Sequence, residues 1–150
     1  MKACKPVPIA RGAFIFCRWS LAIIFWLAFF LRLKILVVAG GIILALSALL
    51  TIRRAPMIAL YTATVQHVFP SRMEILDEYA MRFAHGFGTV LAGICAVLLY
   101  SPVERIGWGF LLFFAVAKTV GALGYCTATK LYHCMSSNGG CCSLTKRQHE

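Results

Sequence analysis

Four long apolar stretches constrain this chain more than any other feature of its sequence. They cover about residues 13–31, 35–52, 83–100 and 106–125. A helix needs about 20 residues to cross the hydrocarbon core of a bilayer, with roughly 17 as the lower limit. The chain is also 61% hydrophobic and only 13% charged. The sequence therefore predicts an all-α integral membrane protein with four transmembrane helices, which form one domain over residues 13–134.

The first two apolar stretches also allow a second interpretation. The first stretch reaches spanning length only if it starts near residue 13, with Arg18 extending back toward the membrane surface. A single re-entrant hairpin made of both stretches is the alternative. In either case Arg32 and Lys34, which separate the two stretches, predict a tight turn at the far surface.

The segments at the near surface have their own patterns. Residues 1–12 form a basic lead that two prolines, Pro6 and Pro8, make extended rather than helical. Residues 56–69 carry apolar side chains at helical spacing behind Pro56, which suits a first helical turn. This pattern predicts an interfacial amphipathic helix between spans two and three. A loop packed on the bundle is the alternative.

A further helix start is expected just before the third span. Ser71 and Glu74 have the spacing of a capping box, so a helix is predicted to begin there and to continue into the membrane. Ser101 and Pro102 are expected to end it at the outer surface. Beyond the fourth span, residues 135–150 are predicted to form a flexible, cysteine-containing tail.

The basic residues predict the orientation of the four spans. Basic loops of membrane proteins stay in the cytoplasm. Three basic residues fall on one side: Arg32, Lys34 and Arg105. The other side carries the larger set: Lys2, Lys5, Arg11, Arg18, Arg53, Arg54, Arg72, Arg82, Lys130, Lys146 and Arg147. Both termini should therefore be cytoplasmic, in a bacterial inner membrane. The net charge of +10 then reflects topology and lipid contact rather than nucleic-acid binding.

An acidic cluster is predicted at the cytoplasmic mouth of the bundle. It consists of Glu74, Asp77 and Glu78, and Arg82 follows Glu78 at the i, i+4 spacing of a helical ion pair. One interpretation makes the cluster an entry point for cations or protons. The other makes it a set of ion pairs that fix the mouth of the bundle.

Two polar residues inside the spans form a candidate intramembrane site. Lys118 is a charge well inside the fourth span, and such residues usually face a partner or a cavity. It could meet His85, near the start of the third span. Either residue could instead have a purely structural role, His85 as a hydrogen-bonded packing residue.

The end of the chain gathers thiols next to the membrane. Cys126 is a candidate reactive thiol, and the candidate metal or thiol ligands are His133, Cys134, Cys141 and Cys142. Soft ligands of this kind suit Cu, Zn or Hg, but the spacing matches no zinc-finger pattern. In a reducing cytosol, structural disulfides are not expected. Metal binding, thiol exchange and incidental cysteines all remain open.

The chain resembles an uncharacterised bacterial family of small integral membrane proteins, a domain of unknown function. The matching stretches are the Pro-Val-Pro-Ile run that starts at Pro6, Arg53 to Pro56, Pro70 to Ala84, and the segment from Gly124 through Cys126 to Tyr132. The resemblance implies a C-x-G-C pair at the end of the last span. Here Thr129 stands in place of the second thiol and Ala128 in place of the glycine.

These observations favour a non-enzymatic membrane protein. It would act as an accessory subunit or membrane partner, with cytoplasmic thiols for thiol or sulfur exchange. Its partners would be the lipid bilayer and a thioredoxin-like or rhodanese-like soluble protein, or a larger membrane complex, and transport would require an oligomer. Soft-metal transport or buffering is one alternative, and a membrane thiol oxidoreductase is the other.

Overall fold

The computed structural model describes residues 6–50, 54–65 and 72–125. Five helices and two short strands account for most of these residues. In chain order they are β1 (Pro6–Ala10), α1 (Arg11–Phe30), α2 (Lys34–Leu49), α3 (Pro56–Thr64), β2 (Met73–Asp77), α4 (Glu78–Tyr100) and α5 (Glu104–Ala122).

The four longer helices form an antiparallel bundle. Helix α1 packs against α2 and α5, and α4 packs against the same two helices. Residues 31–33 and 101–103 connect consecutive helices at one end of the bundle, called here the turn end. Phe25 and Phe114 meet edge to face across the core with their ring centres 4.7 Å apart, and both are buried. The opposite end carries both strands and α3, and is called the sheet end.

Three of the bundle helices are long and apolar enough to cross a membrane. These are α1 with 20 residues, α4 with 23 and α5 with 19. Helix α2 has 16 residues and is therefore about 24 Å long, against roughly 30 Å for the hydrocarbon core. Large apolar side chains stay exposed on the outer faces of the bundle, for example Phe30, Ile42, Val97 and Phe113. This surface suits contact with lipid.

The turn end is held by a small charged and aromatic cluster. The Lys34 ammonium lies 3.0 Å from a carboxylate oxygen of Glu104, which joins the α1–α2 turn to the start of α5. Trp108 donates its indole N–H to the other oxygen of Glu104 at 2.9 Å. Arg32 has a positive φ of 54° and places its guanidinium 4.7 Å from the centre of the Trp108 ring. The predicted tight turn between the first two stretches is thus present.

The sheet end contains an element that the sequence did not predict. Strands β1 and β2 pair antiparallel, with Pro8 opposite Ile75. The Arg11 amide donates to the Arg72 carbonyl at 2.9 Å, so alternate residues of β1 direct their amides to β2. Pro6 and Pro8 then fall on the outer edge, where the missing N–H costs no ladder bond. The all-α prediction is wrong at this strand pair. Of the predicted extended lead, residues 6–10 form strand β1, and residues 11 and 12 already belong to α1.

The predicted helix start at Ser71 to Glu74 is also wrong. Met73–Asp77 is strand, and the helix begins at Glu78. Asp77 is the N-cap residue, because its side chain accepts a hydrogen bond from the Tyr79 amide at 3.1 Å. The N-cap is therefore Asp77, six positions after Ser71, the predicted N-cap.

Helix α3 lies where an amphipathic helix was predicted for residues 56–69. Pro56 is in its first turn, and Ile58 and Tyr61 are buried. The Tyr61 ring packs on Phe16 of α1 with the ring centres 5.6 Å apart. One face of α3 is therefore fixed to the first turns of α1 at the sheet end. Residues 66–69 lie outside the described part of the chain.

Candidate functional site

A cavity of about 130 Å³ lies between α1, α4 and α5 near the sheet end. It is open to the surface of the bundle. Most of its described lining is apolar, but three basic side chains also face it: Arg18, His85 and Lys118. The rest of the described lining consists of Phe14, Leu21, Met81, Ala84, Phe87, Gly88, Leu91, Phe114, Ala117, Gly121 and Ala122.

The antiparallel arrangement of the helices brings the three basic residues to the cavity. Arg18 is seven residues after the first residue of α1, and His85 is seven residues after the first residue of α4. At 1.5 Å per residue, both lie about 10 Å along their helices from the sheet end. Lys118 is four residues before the end of α5, or about 6 Å from the same end. The three side chains thus reach one level of the bundle from three helices.

Lys118 occupies space that exists because residue 88 has no side chain. A Cβ atom at Gly88 would lie 2.6 Å from the Lys118 Nζ. The same Nζ lies 5.1 Å from the centre of the Phe114 ring, within the range of a cation–π contact. Lys118 and His85 both line the cavity. The structure therefore places the two predicted intramembrane polar residues, Lys118 and His85, at the same cavity.

Arg18 is the basic residue of the cavity that was not predicted as part of a site. Its Cζ lies 4.9 Å from the centre of the Phe14 ring, one helical turn nearer the sheet end. The sequence indicated only that Arg18 lies in the first apolar stretch and would extend toward the surface. Its depth equals that of His85 only because α1 begins at Arg11 and α4 at Glu78, and neither start was predicted. The packing of α1 against α5, which brings Arg18 near Lys118, was not predicted either.

The residues predicted to form ion pairs at the bundle mouth lie around the start of α4. Glu74 is half-buried on β2, Asp77 caps α4, and Glu78 is buried. The Arg82 guanidinium donates from Nε to the Ala48 carbonyl at 2.8 Å and from Nη2 to the Leu49 carbonyl at 3.3 Å. Arg82 therefore satisfies carbonyls that the end of α2 leaves without helical partners.

The predicted thiol and metal ligands lie outside the described residues. These are Cys126, His133, Cys134, Cys141 and Cys142. Two cysteines fall within the described ranges, Cys17 and Cys95, and both are free thiols buried in the bundle. Within those ranges no three His, Cys, Asp or Glu side chains come together as a metal site.

A comparison with known protein families assigns the chain to one of them. Residues 13–136 match a family model described as Domain of unknown function (DUF4395). The chain belongs to this family. The DUF4395 match begins in α1 and continues past α5, so it includes all three helices that line the cavity. No curated protein and no solved structure matches the chain.

Proposed function

We propose that this DUF4395 protein is a four-span protein of the bacterial inner membrane, with both termini in the cytoplasm. In this proposal it is a non-enzymatic accessory subunit that presents its C-terminal thiols to a soluble partner or to a larger membrane complex. The observation that carries the proposal is the larger number of basic residues at the sheet end of the bundle, together with its apolar outer faces.

The charges at the two bundle ends support this orientation. At the sheet end, Arg11, Arg54 and Arg72 are exposed. Arg18 and Arg82 lie near the same end, whereas the described basic residues of the turn end are Arg32, Lys34 and Arg105. Positively charged surfaces of membrane proteins face the cytoplasm. The rule counts basic residues, so the carboxylates present at both ends do not alter the comparison. The sheet end is therefore the cytoplasmic end in this proposal.

Helix α2 supplies the fourth span. It packs along α4 and exposes large apolar side chains such as Ile35 and Ile42, as the longer helices do. A hydrophobic segment shorter than the bilayer is accommodated by local thinning of the bilayer or by flanking polar residues that extend to the surface. Lys34, at the first position of α2, is a flanking polar residue of this kind.

Helix α3 is the interfacial element of the proposal. It has nine residues, too few to cross the hydrocarbon core, and it follows α2 at the sheet end. Ile58 and Tyr61 face the bundle, while Leu60 is exposed and would contact the interfacial region of the lipid.

The thiols follow directly after the last span. Cys126 comes four residues after Ala122, the last residue of α5, and Gly124 with a φ of 111° belongs to the turn that ends this helix. A thiol at this point of the chain lies next to the cytoplasmic membrane face in the proposed orientation. Cytosolic thiols are kept reduced, so this thiol would be available for exchange with a thioredoxin-like or rhodanese-like partner.

Sided labelling of a single tail thiol tests the proposal. In a full-length variant with Cys4, Cys134, Cys141 and Cys142 changed to Ser, Cys126 accompanies only the two buried cysteines. A membrane-impermeant maleimide should label this variant in inverted membrane vesicles and leave it unlabelled in intact spheroplasts. The further change Cys126→Ser is the control and should abolish the labelling. Labelling from the periplasmic side would overturn the orientation.

The thiol role has a separate readout. If Cys126 exchanges thiols, its alkylated fraction should fall when cells are treated with an oxidant, and it should form a mixed disulfide with a soluble protein. A Cys126 that stays fully reduced under oxidant, with no disulfide-linked partner, would overturn the thiol role and leave the topology intact.

A further inference from the structure

The cavity between α1, α4 and α5 has the composition of a binding site for an anionic amphiphile. Its three polar side chains are basic, and no carboxylate belongs to the described residues that line it. The remaining described lining is apolar or small. Positive charge in an apolar environment favours a negatively charged ligand group that also carries apolar atoms.

The size of the cavity limits what can enter it. A volume of about 130 Å³ is smaller than the roughly 300 Å³ at which pockets for drug-sized ligands begin. It is comparable to engineered cavities of about 150 Å³ that admit a molecule such as benzene. A phosphate group with a few attached atoms fits this volume, and the rest of a larger ligand must lie outside. Phe87 lines the cavity and is exposed, so an apolar chain leaving the cavity would run along α4 into the bilayer.

We infer that the cavity binds the phosphate group of an anionic phospholipid from the leaflet at the sheet end. Lys118 and Arg18 contact the phosphate oxygens, and His85 donates a third hydrogen bond. Guanidinium and ammonium groups form short, charge-assisted hydrogen bonds with phosphate. Basic pockets between transmembrane helices on the cytoplasmic side are a known setting for anionic lipid head groups. The inference does not depend on the thiol role proposed above.

Gly88 has a specific part in this site. Because a Cβ at position 88 would lie 2.6 Å from the Lys118 Nζ, the Gly88→Ala change must displace the ammonium while keeping its charge. Lys118 has a long flexible stem, so the displacement costs little stability. A Cβ at Gly93, on the same helix, meets no heavy atom within 4 Å. Gly88→Ala and Gly93→Ala are therefore a matched pair that separates the position of the charge from the effect of the substitution.

Native mass spectrometry of the full-length protein tests the inference. The protein is extracted in detergent, stripped of lipid, and titrated with phosphatidylglycerol, phosphatidylcholine or inorganic phosphate. One phosphatidylglycerol should bind per chain, and phosphatidylcholine should bind more weakly. Lys118→Gln should weaken phosphatidylglycerol binding by about fivefold, the usual effect of one basic residue at an anionic lipid surface. Lys118→Arg should restore binding, and Gly88→Ala should weaken it while Gly93→Ala does not.

Three results would overturn the inference. The first is equal retention of phosphatidylglycerol and phosphatidylcholine, since the site would then not select charge. The second is unchanged phosphatidylglycerol binding in both Lys118→Gln and Gly88→Ala. The third is Lys118-dependent binding of inorganic phosphate without binding of the lipid, which would assign the cavity to a soluble anion. If Lys118→Gln fails to fold, Gly88→Ala with its control Gly93→Ala replaces it in the second and third tests, and the first test needs no variant.

Discussion

Gly107 marks a close approach of two helices and gives a sharp test of the fold. It is buried in the first turn of α5, against the last turn of α4. A Cβ atom at this position would lie 2.9 Å from the Leu99 amide nitrogen and 3.0 Å from the Leu98 carbonyl carbon. Both are backbone atoms, so the overlap cannot be relieved by turning a side chain. Gly107→Ala must therefore push α4 and α5 apart.

The magnitude follows from two opposing effects. Replacing a helical glycine by alanine favours the helix by up to about 1 kcal/mol. Inserting a methyl group into a filled contact costs about 1–3 kcal/mol. The net expectation is that Gly107→Ala lowers the free energy of unfolding by about 1–2 kcal/mol. Gly109→Ala is the control, because a Cβ there meets no heavy atom within 4 Å and the residue is exposed. It should leave stability unchanged or raise it slightly.

The free energy of unfolding can be measured by titrating folded protein in mild detergent with SDS. Tryptophan fluorescence is a suitable signal, since Trp108 is buried beside Gly107. The two variants should differ by at least about 1 kcal/mol, with Gly107→Ala the less stable. If Gly107→Ala is as stable as Gly109→Ala, then α4 and α5 do not approach as closely as described, and the helix packing at the turn end is refuted.

Three further predictions concern single interactions. Trp26 donates its indole N–H to the Thr119 hydroxyl at 2.9 Å, and a double-mutant cycle with Trp26→Phe and Thr119→Val should give a coupling of about 0.6 kcal/mol in the same assay. Arg82→Met removes two hydrogen bonds to the end of α2 and should cost on the order of 1.5 kcal/mol, with partial recovery in Arg82→Lys. Lys34→Gln breaks an exposed ion pair with Glu104, so its small effect on stability should disappear at high salt.

The four bundle helices were readable from the sequence because each contains a long apolar stretch with a clear boundary at the turn end. Arg32 and Lys34 lie in and next to the turn between α1 and α2, and Pro102 lies in the turn between α4 and α5. These signals are local, since charge and proline act on the helix that contains them. Boundaries at the sheet end were less accurate. Helix α4 begins at Glu78, although its apolar stretch starts only near residue 83.

The strand pair was missed because its cause is not local. Met73–Asp77 forms a strand by pairing with Pro6–Ala10, more than 60 residues earlier in the chain. The Ser71 to Glu74 spacing fits a capping box, and nothing within that segment indicates a distant strand partner. Asp77 is also a good N-cap residue, and it lies directly before the helix that forms. Local capping signals therefore allowed two helix starts, and the strand pairing selected the later one.

The cavity, too, was predictable only in part: its polar residues are visible in the sequence, but their meeting depends on distant packing. Lys118 and His85 stand out in the sequence because they are polar residues in apolar spans. Their meeting depends on which helices are neighbours, and the apolar stretches do not specify that order. Gly88 could be interpreted only as a small residue that allows close packing. Its contact with the Lys118 ammonium is visible only once α4 and α5 are placed side by side.

Helix direction distinguishes the two strongest cations of the cavity. Side chains on a helix lean toward its N-terminus. The N-terminus of α1 is at the sheet end, so Arg18 leans toward that end and lies over Phe14. Helix α5 runs the other way, so Lys118 leans deeper into the bundle and lies over Phe114. Arg18 therefore points toward the mouth of the cavity, with its Nη2 atom buried. The Lys118 ammonium lies deeper, beside Gly88.

This difference predicts unequal contributions to lipid binding. A cation deeper in a low-dielectric cavity gains more from a bound phosphate than one nearer the mouth of the cavity, because screening by water weakens with depth. In the phosphatidylglycerol titration, Lys118→Gln should therefore weaken binding more than Arg18→Gln does. The matched comparison uses the same Gln substitution at both positions, so the loss of one charge is common to both variants. A larger loss in Arg18→Gln would show that the phosphate sits nearer the surface, at the mouth of the cavity, and not beside Gly88.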